Sequence, residues 1–170
     1  ELVRRGCQVT VMPGTASAEE ILALNPDGLM LSNGPGDPAE NTGIIRELKK
    51  ICDTGLPIFG ICMGHQLLAL AQGASTIKLK YGHRGANQPV KNLDTDRVYI
   101  TSQNHGYAVD PSSLPSHAVQ NYINANDGSC EGVRYTNIPV FSVQFHPEAC
   151  AGPLDTGFLF DQFIQLVEQA

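Results

Sequence analysis

The chain has 170 residues, 42% of them apolar and 16% charged, which fits one compact α/β domain and argues against a disordered, collagen-like or coiled-coil polypeptide. Eleven Lys and Arg against seventeen Asp and Glu give a net charge of -6; with no basic cluster, that field repels phosphate backbones and no nucleic-acid partner is expected. No apolar run approaches the ~20 residues of a membrane span, so no membrane partner is expected, and scattered cysteines without a CxxC pair point to free thiols in a reducing cytoplasm.

Residues 1–5 read as the end of a helix with no strand before it, so the chain is expected to be a fragment lacking at least one upstream β unit. Residues 7–12 (CQVTVM) alternate and predict a strand. Ser17 is placed to cap a helix through Ile21, Leu22 and Leu24, with Glu19 and Glu20 in its first turn. A short apolar strand is predicted over 28–32, and Asn33-Gly34-Pro35-Gly36-Asp37-Pro38 must be a loop. Residues 42–53 carry Ile44, Ile45, Leu48 and Ile51 at helical spacing. Residues 57–61 predict a buried strand and 64–72 a helix. This β-α-β-α-β-α rhythm predicts a mostly parallel sheet flanked by helices. The second half is β-rich, with strands predicted over 88–93, 97–103, 118–125, 130–135 and 140–145. The stretches 82–89 and 103–107 read as polar loops. A helix over 152–170 closes the chain, with Leu154, Phe158, Leu159, Phe163, Ile164 and Val167 as its apolar stripe.

The strongest chemical signal is Gly60-Ile61-Cys62-Met63-Gly64. An apolar strand runs into G-x-C-x-G and then a helix, the thiol form of the nucleophile elbow. Its glycines permit a strained turn that lifts one side chain above the sheet, and the helix N-terminus behind Cys62 favours a thiolate. The backbone N–H of Met63 would point at an oxyanion formed beside the sulfur. Cys7, Cys52, Cys130 and Cys150 lack that setting and are read as structural. A thiol needs a base. His146 follows a strand, Pro147 holds it extended, and Glu148 shares its face two residues on. Gln66 lies one helical turn after Cys62 and shares its side of the helix. The glycines of 33–38 would let backbone N–H groups approach a small ligand, with no GK[ST] to make a phosphate loop. The five histidines, at 65, 83, 105, 117 and 146, form no close pair in sequence, so no metal site is expected. His65 is read as a capping or core histidine.

Together G-I-C-M-G-H-Q at 60–66, N-G-P-G-D-P at 33–38 and F-H-P-E at 145–148 resemble the class I (triad-type) glutamine amidotransferases. G-H-R-G-A-N-Q-P at 82–89 and Q-N-H-G-Y at 103–107 narrow the resemblance to the small, glutamine-hydrolysing chain of carbamoyl-phosphate synthetase. The resemblance implies a flavodoxin-like α/β fold, with the whole of 1–170 as the amidotransferase domain and an upstream small-chain domain absent. It implies Cys62 as nucleophile, His146 as base and acid, and Glu148 as its support. The N–H groups of Gly34 and Met63 would form the oxyanion hole. Glutamine would be held near Gly36, Gln66, Asn104, Gly106 and Tyr107. No cofactor is implied in this chain. ATP and Mg are expected on a large synthetase subunit, paired as a heterodimer or higher assembly, which would join the ammonia with bicarbonate for arginine and pyrimidine synthesis. The competing readings are the amidotransferase of another synthetase (anthranilate or GMP type), a hydrolase of another γ-glutamyl substrate, and a glutamine-binding domain inactive as a fragment.

Overall fold

The computed structural model describes residues 1–148 and 154–170. In chain order its elements are α1 (Ala18–Leu22), β1 (Leu29–Leu31), α2 (Thr42–Cys52), β2 (Ile58–Ile61), α3 (Met63–Ala71), β3 (Thr76–Asn92), β4 (Val98–Val109), β5 (Ala118–Asn124), β6 (Cys130–Tyr135), β7 (Val140–Val143) and α4 (Phe158–Glu168). The strands form one sheet in the order β1-β2-β7-β6-β5-β3-β4. β1, β2 and β7 run parallel; every neighbour pair from β7 to β4 is antiparallel. The α/β class and the β-rich second half are as expected, although the antiparallel part is larger than the helix–strand rhythm suggested.

Of the parallel strands, β2 and β7 are buried throughout and β1, at the sheet edge, is half-buried; their side chains divide by the period of two. Ile58 and Val140 point into a core shared with Leu48 and Ile51 of α2 and Leu67 and Leu68 of α3. Phe59, Ile61, Phe141 and Val143 point the other way, onto Leu159, Phe160 and Phe163 of α4. Phe59 is the centre of that face, with ring centroids 4.5 Å from Phe141, 5.7 Å from Phe160 and 5.9 Å from Phe163. Helix α1 starts where Ser17 predicts. The Ser17 hydroxyl accepts from the Glu20 N–H, and the Glu20 carboxylate accepts from the Ser17 N–H, a complete capping box.

Four expectations change. Residues 7–12 form no strand: the alternation is present, but no strand among the described residues pairs with it, and Val11 is 89% exposed. Residues 82–89 and 103–107 are not loops. They lie in β3 and β4, paired His83 to His105, Arg84 to Asn104 and Gly85 to Gln103, with register shifts that absorb the glycines. α4 begins at Phe158; the predicted helix start at 152 and Cys150 lie outside the described residues. No helix among the described residues is long and apolar enough to cross a membrane.

Candidate active site

The C-terminal ends of the three parallel strands deliver the three sequence signals to one place, as open parallel sheets do. β1 leads into the loop 32–37, β2 into Cys62, and β7 into His146. Cys62 sits at the N-cap of α3 with φ 53 and ψ -104, a conformation an L-residue rarely adopts. The turn closes because its flanking residues have no side chain. A Cβ on Gly60 would lie 2.6 Å from Leu68 Cδ1 and 2.9 Å from the Gly64 carbonyl carbon. One on Gly64 would lie 2.5 Å from the Leu31 carbonyl oxygen. The elbow is anchored by the Cys62 N–H, which donates to Val143 O at 2.9 Å.

His146 lies beside this thiol. Its backbone N–H donates to Ser102 O at 2.9 Å, and its Nδ1 is 2.7 Å from Glu148 Oε1. The hydrogen bond with the Cys62 side chain, then that with Glu148, raises the imidazole pKa to about 10 against the opposing effect of burial. The ring therefore carries its proton at neutral pH, which suits it to act as an acid beside the sulfur.

The cleft around this group has a volume of about 750 Å³. All ten residues singled out from the sequence line it. Cys62, His146 and Glu148 meet Gly34 and Met63 at one end, and Gly36, Gln66, Asn104, Gly106 and Tyr107 complete the wall. A Cβ on Gly34 would be 3.4 Å from Met63 Cγ, so the loop and the first turn of α3 are in contact. Gln66 is fixed by donating from Nε2 to Tyr107 O at 2.8 Å and to Gln144 Oε1 at 2.9 Å. That spends both amide hydrogens and leaves its oxygen as the atom it can offer a ligand. Asp37 lies beside the Tyr107 hydroxyl and raises its pKa.

Sequence reasoning passed over several groups. Arg84 and His105 also line the cleft, and Arg84 supplies a cation there; the glycines flanking 82–89 masked the strand that carries it. Gln144, fully buried beside Gln66, had no motif to signal it. The histidines do not all stay apart: β3–β4 pairing sets His83 Nδ1 3.2 Å from His105 Nε2. His65 is a core histidine as expected, with Nδ1 2.8 Å from Ser142 Oγ and burial pushing its pKa down to about 3. Burial likewise pushes the Cys52 and Cys130 thiols up to about 11 and about 12, so neither competes as a nucleophile.

The family model described as glutamine amidotransferase class-I matches residues 1–166. The chain is 59% identical over 169 residues to the carbamoyl phosphate synthase small chain of Fusobacterium nucleatum, covering 99% of this chain and 47% of that one. It is 56% identical over 168 residues to the protein of the same name from Vibrio vulnificus, covering 99% of this chain and 44% of that one. The chain thus spans less than half the length of these relatives. Among solved structures, a putative GMP synthase subunit from Thermoplasma acidophilum superposes with a TM-score of 0.84 at 26% identity, over 99% of this chain and 85% of that one.

Proposed function

Because the chain belongs to the class I glutamine amidotransferase family, we propose that it hydrolyses L-glutamine to glutamate and ammonia through a thioester on Cys62. We further propose that it hands the ammonia to a large synthetase subunit for ATP-dependent carbamoyl phosphate synthesis, with ATP and Mg bound on that partner and no cofactor in this chain. The observation that carries the first reading is the strained Cys62 hydrogen-bonded to His146, itself held by Glu148.

The steps follow from those positions. The Cys62 sulfur attacks the side-chain carbonyl carbon of glutamine, and the carbonyl oxygen takes up negative charge. The N–H groups of Met63, at the start of α3, and Gly34, on the loop against it, are the donors for that oxyanion. His146 gives its proton to the departing nitrogen; the C–N bond breaks, ammonia leaves, and a γ-glutamyl thioester remains. His146, now neutral, takes a proton from water as the water oxygen attacks the thioester. The C–S bond breaks, glutamate leaves, and the sulfur–imidazolium pair is restored. Gln66, Asn104, Gly106, Tyr107 and Gly36 hold the amino-acid end, the Gln66 oxygen suiting an α-ammonium.

For the partner, the small-chain relatives at 56% and 59% identity outweigh the GMP synthase likeness at 26%. Labelling with an electrophilic glutamine analogue, mapped by peptide mass spectrometry, tests the site. One adduct on Cys62, blocked by excess glutamine, is expected; an adduct elsewhere, or none on a folded chain, overturns the reading. Co-purification tests the partner: retention of a GMP- or anthranilate-type synthetase subunit in place of the carbamoyl-phosphate one would reassign it.

A further inference from the structure

The β3–β4 pairing that carries the substrate wall also carries a cation that the steps above leave unused. Arg84 on β3 stands directly opposite Asn104 on β4. Both are exposed, while the adjoining pair, His83 and His105, is buried. Residues paired across two strands share a face of the sheet. Arg84 and Asn104 share the face that lines the cleft.

The guanidinium is seated against this wall. Its Nη1 donates to Tyr81 O at 2.6 Å. Two glycines make room for it: a Cβ on Gly82 would lie 3.1 Å from Nη1, and one on Gly106 would lie 3.8 Å from Nη2. Nη2 thus lies against Gly106, in the stretch assigned to glutamine. The tether to Tyr81 uses Nη1 alone, and it is the one side-chain hydrogen bond of Arg84 among the described residues. Nε and Nη2 are left over. Their parallel N–H groups form the edge of the guanidinium that holds a carboxylate by two hydrogen bonds.

The charges in the cleft point the same way. Its charged lining residues are Arg84, His146 and Glu148. His146 and Glu148 hold each other at 2.7 Å, whereas no carboxylate among the described residues forms an ion pair with Arg84. Glutamine brings two charges. The Gln66 oxygen, with both amide hydrogens spent on Tyr107 and Gln144, suits the ammonium. The carboxylate is left for a cation.

We propose that Arg84 binds the α-carboxylate of glutamine through Nε and Nη2, and so sets the preference for an α-amino acid over a plain primary amide. The assignment rests on the glutaminase reading and names a further contact in the same site. The α-carboxylate lies three carbons from the reacting carbonyl and its charge does not change as the C–N bond breaks. Arg84 therefore holds the ground state and the transition state alike, and its loss acts on KM more than on kcat.

The test uses the full small chain with its synthetase partner. Binding is read without turnover, as protection of Cys62 from alkylation by iodoacetamide, mapped by peptide mass spectrometry. The protectants are L-glutamine and its α-amide, in which a neutral carboxamide replaces the carboxylate. In the parent the α-amide should protect roughly 10- to 100-fold more weakly than glutamine, the size of a charge-assisted contact. Arg84→Met should weaken protection by glutamine by a similar factor and leave the α-amide unchanged. KM for glutamine should rise with it while kcat is little changed. Arg84→Lys, which keeps the charge and loses the fork, should fall between the two. Lys91→Met, which removes a cation from the same strand outside the cleft, should alter neither ligand. Unchanged protection by glutamine in Arg84→Met, equal weakening of both ligands, or a fall in kcat at constant KM would overturn the assignment. Unprotected alkylation at the parent's rate shows that the variant's elbow is intact. If it is not, the same two-ligand comparison on Arg84→Lys decides. A parent that glutamine does not protect would overturn the glutaminase reading itself, and this assignment with it.

Discussion

Cys62 holds a backbone conformation that costs of order 1–3 kcal/mol for an L-residue, and the cost is tolerated because β2, α3 and Val143 fix both sides of the turn. Cys62→Ser should therefore keep the fold, as read by circular dichroism, while thioester formation is abolished; turnover comparable to wild type would remove Cys62 as nucleophile. Gly64→Ala acts on the same turn sterically. Its Cβ would press on Leu31 from 2.5 Å, so a loss of about 1–3 kcal/mol in chemical denaturation is expected, typical of overpacking. The acid–base prediction concerns His146. Its folded pKa, about 10, lies above the ordinary 6.5, so the stability its imidazolium contributes is complete below pH 6.5 and is lost as pH rises towards 10. Activity should fall on the same alkaline limb, because the imidazolium is the acid that protonates the departing amide nitrogen. Glu148→Gln removes a carboxylate that stabilises the cation and should move that limb to lower pH in kcat/KM; an unmoved limb would show that Glu148 does not support the ring. His146→Asn should cost at least ~100-fold in rate.

At the level of elements, β3 and β4 are where sequence and structure part most. Gly82, Gly85 and Gly106 with their polar neighbours look like turns, yet the two strands bend and slip register so that the glycines fall at the irregularities and the chain stays paired. Local composition cannot show this, since pairing is decided by a partner strand far along the chain. The same reason undid residues 7–12, where the alternation exists but no described strand accepts it. The capping box of α1, the elbow before α3 and the buried runs of β2 and β7 were legible because their causes are local: a hydroxyl, two glycines, an unbroken apolar run. The motifs at 33–38, 60–66, 103–107 and 145–148 were enough to gather the cleft, while Arg84 was missed because its motif at 82–89 read as a loop, and Gln144 because no motif includes it. Gly82→Ala tests the strand reading. Gly82 has φ +70, and a Cβ there would collide with the His105 carbonyl oxygen, so the substitution should disturb the pairing beside Asn104–Tyr107. A raised KM for glutamine with kcat less affected is expected; an equal fall in kcat at unchanged KM would place this pairing outside substrate binding.

On the scale of the whole molecule, one sheet separates two apolar cores and carries the site on its edge, so stability and geometry share the same strands but are not the same quantity. Phe59 separates them. It is fully buried, it packs on Phe141, Phe160 and Phe163, and its side chain faces α4, the opposite face of β2 from Gly60 and its contact with the elbow helix. Phe59→Ala removes the centre of that core and should cost about 3–5 kcal/mol in denaturant unfolding. Cys62 itself borders the α4 core, but the elbow's glycines are held on the other face by the contacts of Gly60 and Gly64 with Leu68 and Leu31. Well below its lowered Tm, the variant that remains folded should therefore turn over glutamine at close to the wild-type rate per active site, counted by glutamine-analogue titration. A per-site rate that falls with stability, even where circular dichroism shows a fully folded chain, would mean that the α4 core sets the position of Cys62. The two faces of the sheet would then act as one mechanical unit.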